Sequence, residues 1–267
     1  MAVLAILFIA CLVASIVYLN REKKDTECTA SSREEPQGVT SAGMESKATG
    51  IAATYLLNDF VELARERVEV ESPNFYDLTV LSYGPTGLGY QKRCPRDGQL
   101  GCSIVDAINE CYRGEASYFV SWCWQYKLND FVSAISSWVQ REGVDPSDVY
   151  LWVCFFCNNQ YRILEEQTQH GSSQLTSMFE HHLASTGRML ILLDSFTPAP
   201  LFLTRAWCLF ECYVSADQYI PMTITFPDRL RTEGTEGRRP LEEAIQALDM
   251  RRAKASDKVD EENMGGW

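Results

Sequence analysis

Positive charge is scarce in this sequence of 267 residues. Lys and Arg number 24 against 36 Asp and Glu, so the formal net charge is -12, and no long basic run is present. A nucleic-acid-binding domain usually carries a basic face. The charge balance therefore argues against a nucleic-acid partner.

Cysteine is too sparse for a scaffold held together by disulfides. The chain has ten cysteines, well below the density of small secreted disulfide-rich domains. Cys123, Cys154, Cys208 and Cys212 lie in apolar runs, where cysteine behaves as a small hydrophobic residue. We therefore expect the cysteines to be mostly reduced.

Solenoid-type repeats are absent, whereas core-forming residues are plentiful. Hydrophobic residues make up 46% of the chain and aromatic residues 11%. This content is sufficient for a full core, and one domain with appendages is the default for this length.

The N-terminal end predicts a membrane anchor. Residues 2–19 form an uncharged apolar run broken only by Ser15, followed by Arg21, Lys23 and Lys24. The run is near the lower length limit for a spanning helix. A cleavable signal peptide is the alternative, but its basic residues would precede the apolar run. With the positive-inside rule, the pattern predicts a single-pass membrane protein anchored by residues 1–20, with its C-terminal domain cytosolic.

The remaining chain divides by composition. We expect a disordered linker over residues 21–50, an N-terminal extension over 51–114, an α/β domain over 115–250 and a disordered tail over 251–267. Within the extension, spacing predicts a helix over 51–70 and a short strand over 77–83. A Gly- and Pro-rich stretch over 84–101 has no assignable chemistry. Residues 240–250 predict an amphipathic helix.

Apolar strands alternate with amphipathic helices in the α/β range. Strands are predicted over residues 118–124, 149–156, 189–193 and 222–226. Helices are predicted over 128–140 and 175–183, closed by Gly143 and Gly187. This alternation predicts a flavodoxin-like, doubly wound parallel sheet, whose ligand site lies beyond the carboxyl ends of its strands.

One carboxylate stands out in the apolar stretch over residues 203–211. If a helix begins there with Thr204 as its N-cap, Trp207 and Glu211 share one face. A buried carboxylate is costly unless something requires it. Two structural explanations compete with a functional one: Glu211 is a first-turn acid favoured by the helix macrodipole, or it pairs with Arg205 or Arg162.

These features resemble the Toll/interleukin-1 receptor (TIR) domain. Its last box is a strand ending near a serine, here Ser195, a short loop and Trp-Cys-Leu-x-Glu, here residues 207–211. Its first box is similar to Tyr-Phe-Val-Ser-Trp at residues 118–122. The resemblance covers about residues 115–230, and the Trp-x-x-x-Glu spacing fits TIR domains that cleave NAD. One departure is Cys-Asn-Asn-Gln-Tyr-Arg at residues 157–162, where many TIR domains have an Asp followed by a Gly-bearing loop.

The resemblance implies hydrolysis of the nicotinamide–ribose bond of NAD, with Glu211 as the catalytic carboxylate. The reaction passes through an oxocarbenium-like cation, which a carboxylate stabilises. NAD would be a substrate, and no cofactor or metal is expected. The residues expected to bind the substrate by stacking or hydrogen bonding are Ser121, Trp122, Trp124, Phe156, Asn158, Asn159, Ser195 and Trp207.

Two other functions are open. A non-enzymatic adaptor would be tethered to a membrane and would form homo-oligomers through TIR-like surfaces; the departure at residues 157–162 slightly favours it. A zinc site is suggested by the Cys154-x-x-Cys157 spacing. However, these two cysteines lie on a predicted strand and would point to opposite faces, and no second paired motif follows.

Overall fold

A computed structural model describes residues 48–163, 173–196 and 200–231. The expected anchor over residues 1–20, the C-terminal helix over 240–250 and the tail over 251–267 lie outside these ranges. Among the helices of the three described ranges, none has the length and apolar character needed to cross a bilayer.

Six strands and eight α-helices make up the described chain. The strands are β1 (Thr49–Ala52), β2 (Arg113–Glu115), β3 (Tyr118–Ser121), β4 (Tyr150–Trp152), β5 (Met189–Leu192) and β6 (Met222–Thr225). The helices are α1 (Ala53–Leu57), α2 (Asp59–Arg67), α3 (Thr79–Ser82), α4 (Ile104–Ala107), α5 (Leu128–Glu142), α6 (Cys154–Cys157), α7 (Ser173–Thr186) and α8 (Ala206–Asp217). Short 3-10 helices lie at Glu110–Tyr112, Leu201–Thr204 and Asp228–Arg231.

The strands form one mixed sheet in the order β2-β1-β4-β3-β5-β6. The pairs β3–β4, β3–β5 and β5–β6 are parallel, whereas β1 is antiparallel to both β2 and β4. From β3 the chain goes first to β4 on one side and then to β5 on the other. The winding direction therefore reverses between β3 and β5, which is the topological switch point where α/β sheets bind ligands.

The range expected as a separate extension belongs to this sheet. Ile51 pairs with Leu151 of β4, and Gly50 pairs with Gly114 of β2. The helix expected over residues 51–70 is instead the end of β1 followed by α1 and α2. A Cβ at Gly50 would lie 3.0 Å from Ala116, so this edge requires a very small residue. The predicted boundary at residue 115 thus falls between strands of a single sheet.

The predicted amphipathic helix after β3 is confirmed as α5. Its apolar face, including Phe131, Ile135 and Trp138, is buried against the sheet. The helix ends at Gly143 with φ of 65°, a left-handed conformation that glycine adopts without a Cβ penalty. Gly187 closes α7 in the same way, with φ of 63°.

The strand predicted over residues 77–83 is wrong, and the strands predicted over 118–124 and 149–156 are too long, since β3 ends at Ser121 and β4 at Trp152. Residues 77–83 contain the helical turn α3, preceded by an Asn74 side chain whose Oδ1 accepts hydrogen bonds from the backbone N–H groups of Tyr76 and Asp77. The strand expected over residues 149–156 ends at Trp152, and α6 begins at Cys154. A short apolar run is compatible with a strand and with a buried helical turn, so the sequence pattern alone could not identify the turns α3 and α6.

Candidate active site

At the switch point, contacts hold the ends of β3 and β5 together. Ser121, the last residue of β3, is in register with Ile191 of β5. The Tyr126 hydroxyl then donates a 3.0 Å hydrogen bond to the Leu192 carbonyl. The carboxyl ends of the two central strands are therefore held together, and the side chains that follow them share one edge.

Helix α8 brings Glu211 to this edge. The helix begins at Ala206, and the Thr204 hydroxyl donates to the Leu201 carbonyl at 2.8 Å within the preceding 3-10 turn. Thr204 is therefore not the N-cap; Arg205 occupies that position without a capping side-chain bond. Glu211 consequently lies in the second turn, beyond the first turn where the helix macrodipole acts on an acid.

The Glu211 side chain is buried, and a hydroxyl group contacts it. The residue is 6% exposed, and Ser121 Oγ donates a short hydrogen bond to Glu211 Oε2. Burial raises the pKa of Glu211 to about 8, and the Ser121 hydrogen bond opposes that shift. Glu211 is therefore mainly a neutral carboxylic acid at pH 7.

The expected ion-pair explanation for Glu211 does not hold. Arg162 Nε pairs with Asp97 Oδ2 at 2.8 Å. Within the three described ranges, no cation forms a salt bridge with Glu211. A cationic partner would also lower the pKa of the carboxyl, whereas that pKa is raised.

Three thiols lie around this carboxyl. The pKa values of Cys154, Cys208 and Cys212 are all raised, chiefly by burial, and the neighbouring Glu211 contributes in each case. The apolar surroundings predicted for these cysteines are thus the same surroundings that keep Glu211 protonated. Cys208 and Cys212 lie on the same helix as Glu211, whereas Cys154 comes from α6, so only the position of Cys154 beside Glu211 has no signal in the local sequence.

The two tryptophans after Ser121 occupy different environments. Trp122 is 5% exposed, with ring centroids 4.1 Å from Phe75 and 4.9 Å from Phe131. Trp124 is only partly buried and lies 5.4 Å from Phe155. Trp122 Nε1 is buried and has no hydrogen-bond partner among the described residues. Trp124 is therefore the tryptophan at the rim of the site, and Trp122 packs in the core.

Three other predicted residues do not join Glu211 directly. Phe156 is fully buried, 4.6 Å from Phe60, because the chain turns into α6 before it. Trp207 lies one turn before Glu211, and its ring packs 5.2 Å from Phe179 of α7. Ser195 is partly buried three residues beyond the end of β5.

Asn158 and Asn159 are both buried, and Asn159 contacts the Gly- and Pro-rich segment. Asn159 Nδ2 donates to the Gly101 carbonyl at 3.0 Å, and its Oδ1 accepts from the Tyr161 backbone N–H at 3.1 Å. Gly101 has φ of 88°, and a Cβ there would lie 2.9 Å from the Tyr161 ring. The Asn159 amide thus holds a loop in place, and the glycine-rich segment has a structural role.

Two polar residues at the edge were not among the predicted site residues. Tyr126 joins the strand ends, as described above. Asp194 Oδ1 accepts a 3.1 Å hydrogen bond from the Leu201 backbone N–H, and burial raises the pKa of Asp194. The position of Asp194 just after a predicted buried strand could have identified it as a site residue. No sequence pattern identifies Tyr126, because its hydroxyl donates to the backbone carbonyl of Leu192, which is distant in the sequence.

The two cysteines of the suggested zinc site do not lie on a strand, contrary to the prediction. Cys154 and Cys157 lie on the single helical turn α6, so they do not alternate across a strand. Cys157 Sγ contacts the backbone of its own turn, 3.4 Å from the Val153 nitrogen. In the described part of the chain, no group of three or more His, Cys, Asp or Glu side chains is arranged to hold a metal ion.

Comparisons with known proteins return nothing: no protein-family model, no curated protein and no solved structure matches this chain.

Proposed function

We propose that this chain carries a TIR-like domain that hydrolyses the nicotinamide–ribose bond of NAD, with Glu211 as the catalytic carboxylate. The proposal rests on one observation. Glu211 is buried at the switch point of the sheet, where Ser121 at the end of β3 donates to it and no described cation neutralises it. A titratable group strongly perturbed by burial at a ligand-binding edge is a functional-site candidate.

The chemistry requires a carboxylate rather than a metal or a second acid. The bond between the nicotinamide nitrogen and the ribose carbon breaks, and its electron pair returns to the nitrogen, which was already cationic. Nicotinamide therefore leaves neutral without being protonated. The positive charge left on the ribose is stabilised by ionised Glu211, and water then adds and releases a proton.

The raised pKa of Glu211 is compatible with this role. Near pH 7 the acid form predominates, but the positive charge of bound NAD and of the developing cation favours the carboxylate. Ser121 stabilises that carboxylate, since its hydrogen bond lowers the pKa of Glu211. Among the expected stacking residues, we propose Trp124 for the nicotinamide, because it is partly exposed whereas Trp122 and Phe156 are buried.

The adaptor function is the second candidate, and one observation favours it. Glu211 is only 6% exposed, so substrate can reach it only after its cover moves. A tethered scaffold that forms homo-oligomers requires no such movement. Its membrane anchor over residues 1–20 stays a prediction, because those residues lie outside the described ranges.

The test is nicotinamide release from NAD by the full-length chain at high protein concentration. Wild type is compared with Glu211→Gln, which keeps the shape and a hydrogen-bond acceptor for Ser121, and with Glu62→Gln, which changes an exposed acid on α2. We expect release by wild type and the Glu62 variant, and none by the Glu211 variant. Absence of release from folded wild-type protein, even when clustered, would favour the adaptor.

A further inference from the structure

Two buried thiols face each other beside the candidate active site. Cys123 Sγ lies 3.6 Å from Cys208 Sγ, and each residue is 3% exposed. Cys123 is in the irregular segment after β3, and Cys208 is in the first turn of α8. The pair therefore connects the two elements that carry Ser121 and Glu211.

The geometry is close to that of a disulfide. A disulfide bond is about 2.05 Å long, so the sulfur atoms need to approach by about 1.5 Å. The segment containing Cys123 has no helix or strand hydrogen-bonding pattern, so small backbone adjustments are less restricted there than in the strand. Cys208 Sγ also contacts the Trp122 carbonyl at 3.5 Å, which keeps the thiol directed toward this segment.

We propose that Cys123 and Cys208 form an oxidisable pair, and that their disulfide fixes α8 to the end of β3. The proposal is independent of the reaction assigned to Glu211. With hydrogen peroxide as oxidant, one thiolate attacks a peroxide oxygen and hydroxide leaves, giving a sulfenic acid. The second thiol attacks that sulfur and water leaves. In total, two thiols lose two electrons and two protons, and one peroxide becomes two waters.

The surroundings of the pair determine how fast it reacts. Thiol attack requires a thiolate, and burial raises the pKa of Cys208 far above its ordinary value. Oxidation is therefore slow in the native protein. The same burial shields the finished disulfide from thiol reductants, so its reduction is slow as well.

Nearby cysteines provide a discriminating control. Cys212 is on the same helix one turn after Cys208 and is also buried, at 6% exposed. It differs in that Cys208 is the α8 thiol within contact distance of Cys123. Cys111 is exposed, so it can be alkylated in the native protein before oxidation.

The experiment is disulfide mapping of the full-length chain. Exposed thiols are alkylated under native conditions, the protein is treated with hydrogen peroxide, and a tryptic digest is prepared without reductant. Residues 114–127 and 206–229 are the tryptic peptides that carry the pair. We expect them to appear as one linked species, two hydrogens lighter than their sum, that separates on reduction.

Variants identify the cysteine responsible, because Cys208 and Cys212 are in the same tryptic peptide. The linked species is expected to persist in Cys212→Ser and to disappear in Cys208→Ser. Thermal denaturation of oxidised wild type should give a higher midpoint than the reduced protein, and the difference should vanish on reduction. Recovery of Cys123 and Cys208 as free thiols from oxidised wild type, or a linkage that persists in Cys208→Ser, would overturn the proposal.

Discussion

Two regions of the molecule bury a carboxyl group in different ways. On α4, the Asp106 side chain is 6% exposed, and its Oδ2 accepts from Arg96 Nη2 at 2.6 Å and from Ser103 Oγ at 2.7 Å. At the switch point, the whole Glu211 residue is 6% exposed, and its carboxyl accepts a hydrogen bond from the Ser121 hydroxyl without an ion pair among the described residues.

The difference separates a structural acid from a functional candidate. A buried carboxylate with a cation and further hydrogen bonds has its desolvation cost offset within the fold. A buried carboxyl without a cation has no such compensation for its lost hydration, so it holds a proton and is neutral. Glu211 is thus available to stabilise a positive charge from outside the protein, and under the proposed function the oxocarbenium-like ribose formed from NAD would provide that charge.

The largest effect is expected from Glu211→Gln in the nicotinamide-release assay. Loss of the stabilising charge should lower release at least about 100-fold, the range seen when an electrostatic contact to a transition state is removed. Stability should not fall, because glutamine is neutral and keeps an acceptor for Ser121. Denaturant unfolding of the same preparations checks that the loss is not due to unfolding.

Asp106→Asn should lower stability and leave nicotinamide release unchanged, which is the opposite of the result expected for Glu211→Gln. Arg96 loses its charged partner, so the free energy of unfolding should fall by about 2 kcal/mol in denaturant titrations. Nicotinamide release per folded molecule should be unchanged. Glu142→Gln is the control, because it removes an exposed partner of Arg141 and should alter stability by less than about 1 kcal/mol. Equal destabilisation by both variants would contradict the structural role of Asp106.

The pH dependence of stability tests the neutral state of Glu211. Its folded pKa of about 8 is above the ordinary value of 4.5, so the folded state holds a proton that the unfolded state has released between these limits. Stability from this group is full below about pH 4.5 and falls as pH rises toward 8. The expected loss is about 1.4 kcal/mol per pH unit. Other groups titrate in both proteins, among them His182, whose pKa burial lowers to about 4. The slope is therefore expected in the difference between the free energies of unfolding of wild type and Glu211→Gln, measured by denaturant unfolding across this window.

The smallest effect is expected from Ser121→Ala. Without the Ser121 hydroxyl, the pKa of Glu211 should rise further, so a smaller fraction is ionised at pH 7. Nicotinamide release should fall roughly 10-fold at pH 7, consistent with loss of one hydrogen bond to a charged group, and should recover in part at higher pH. Ser137→Ala removes a similar serine–carboxyl contact at Asp228 and should leave the pH profile unchanged.

Local sequence patterns predicted the parallel half of the sheet well. The strands β3, β5 and β6 and helix α5 follow from apolar runs and helical spacing. The strands β1 and β2 were missed, because they are short, contain Gly50 and Gly114, and depend on pairing with each other and with Leu151. Such long-range pairing has no local signal.

The site was predictable to a similar extent. The resemblance predicted both Ser121 and Glu211 as site residues, and in the structure the Ser121 hydroxyl donates a hydrogen bond to Glu211. Phe156 and Asn159, also predicted as site residues, are held elsewhere, because Phe156 packs in the core and the Asn159 amide donates a hydrogen bond to Gly101. Both depend on the chain turning into α6 after β4, which an apolar run does not reveal.

The most direct test of the difference between the two buried acids is a carboxyl titration by NMR. Glutamate side chains are labelled with ¹³C in full-length wild type and in Glu211→Gln, and the signal absent from the variant is assigned to Glu211. We predict that this carboxyl stays protonated at pH 6 and ionises near pH 8. Ionisation near pH 4.5, as for an exposed glutamate, would contradict the account, because Glu211 would then be neither desolvated nor held for an incoming cation.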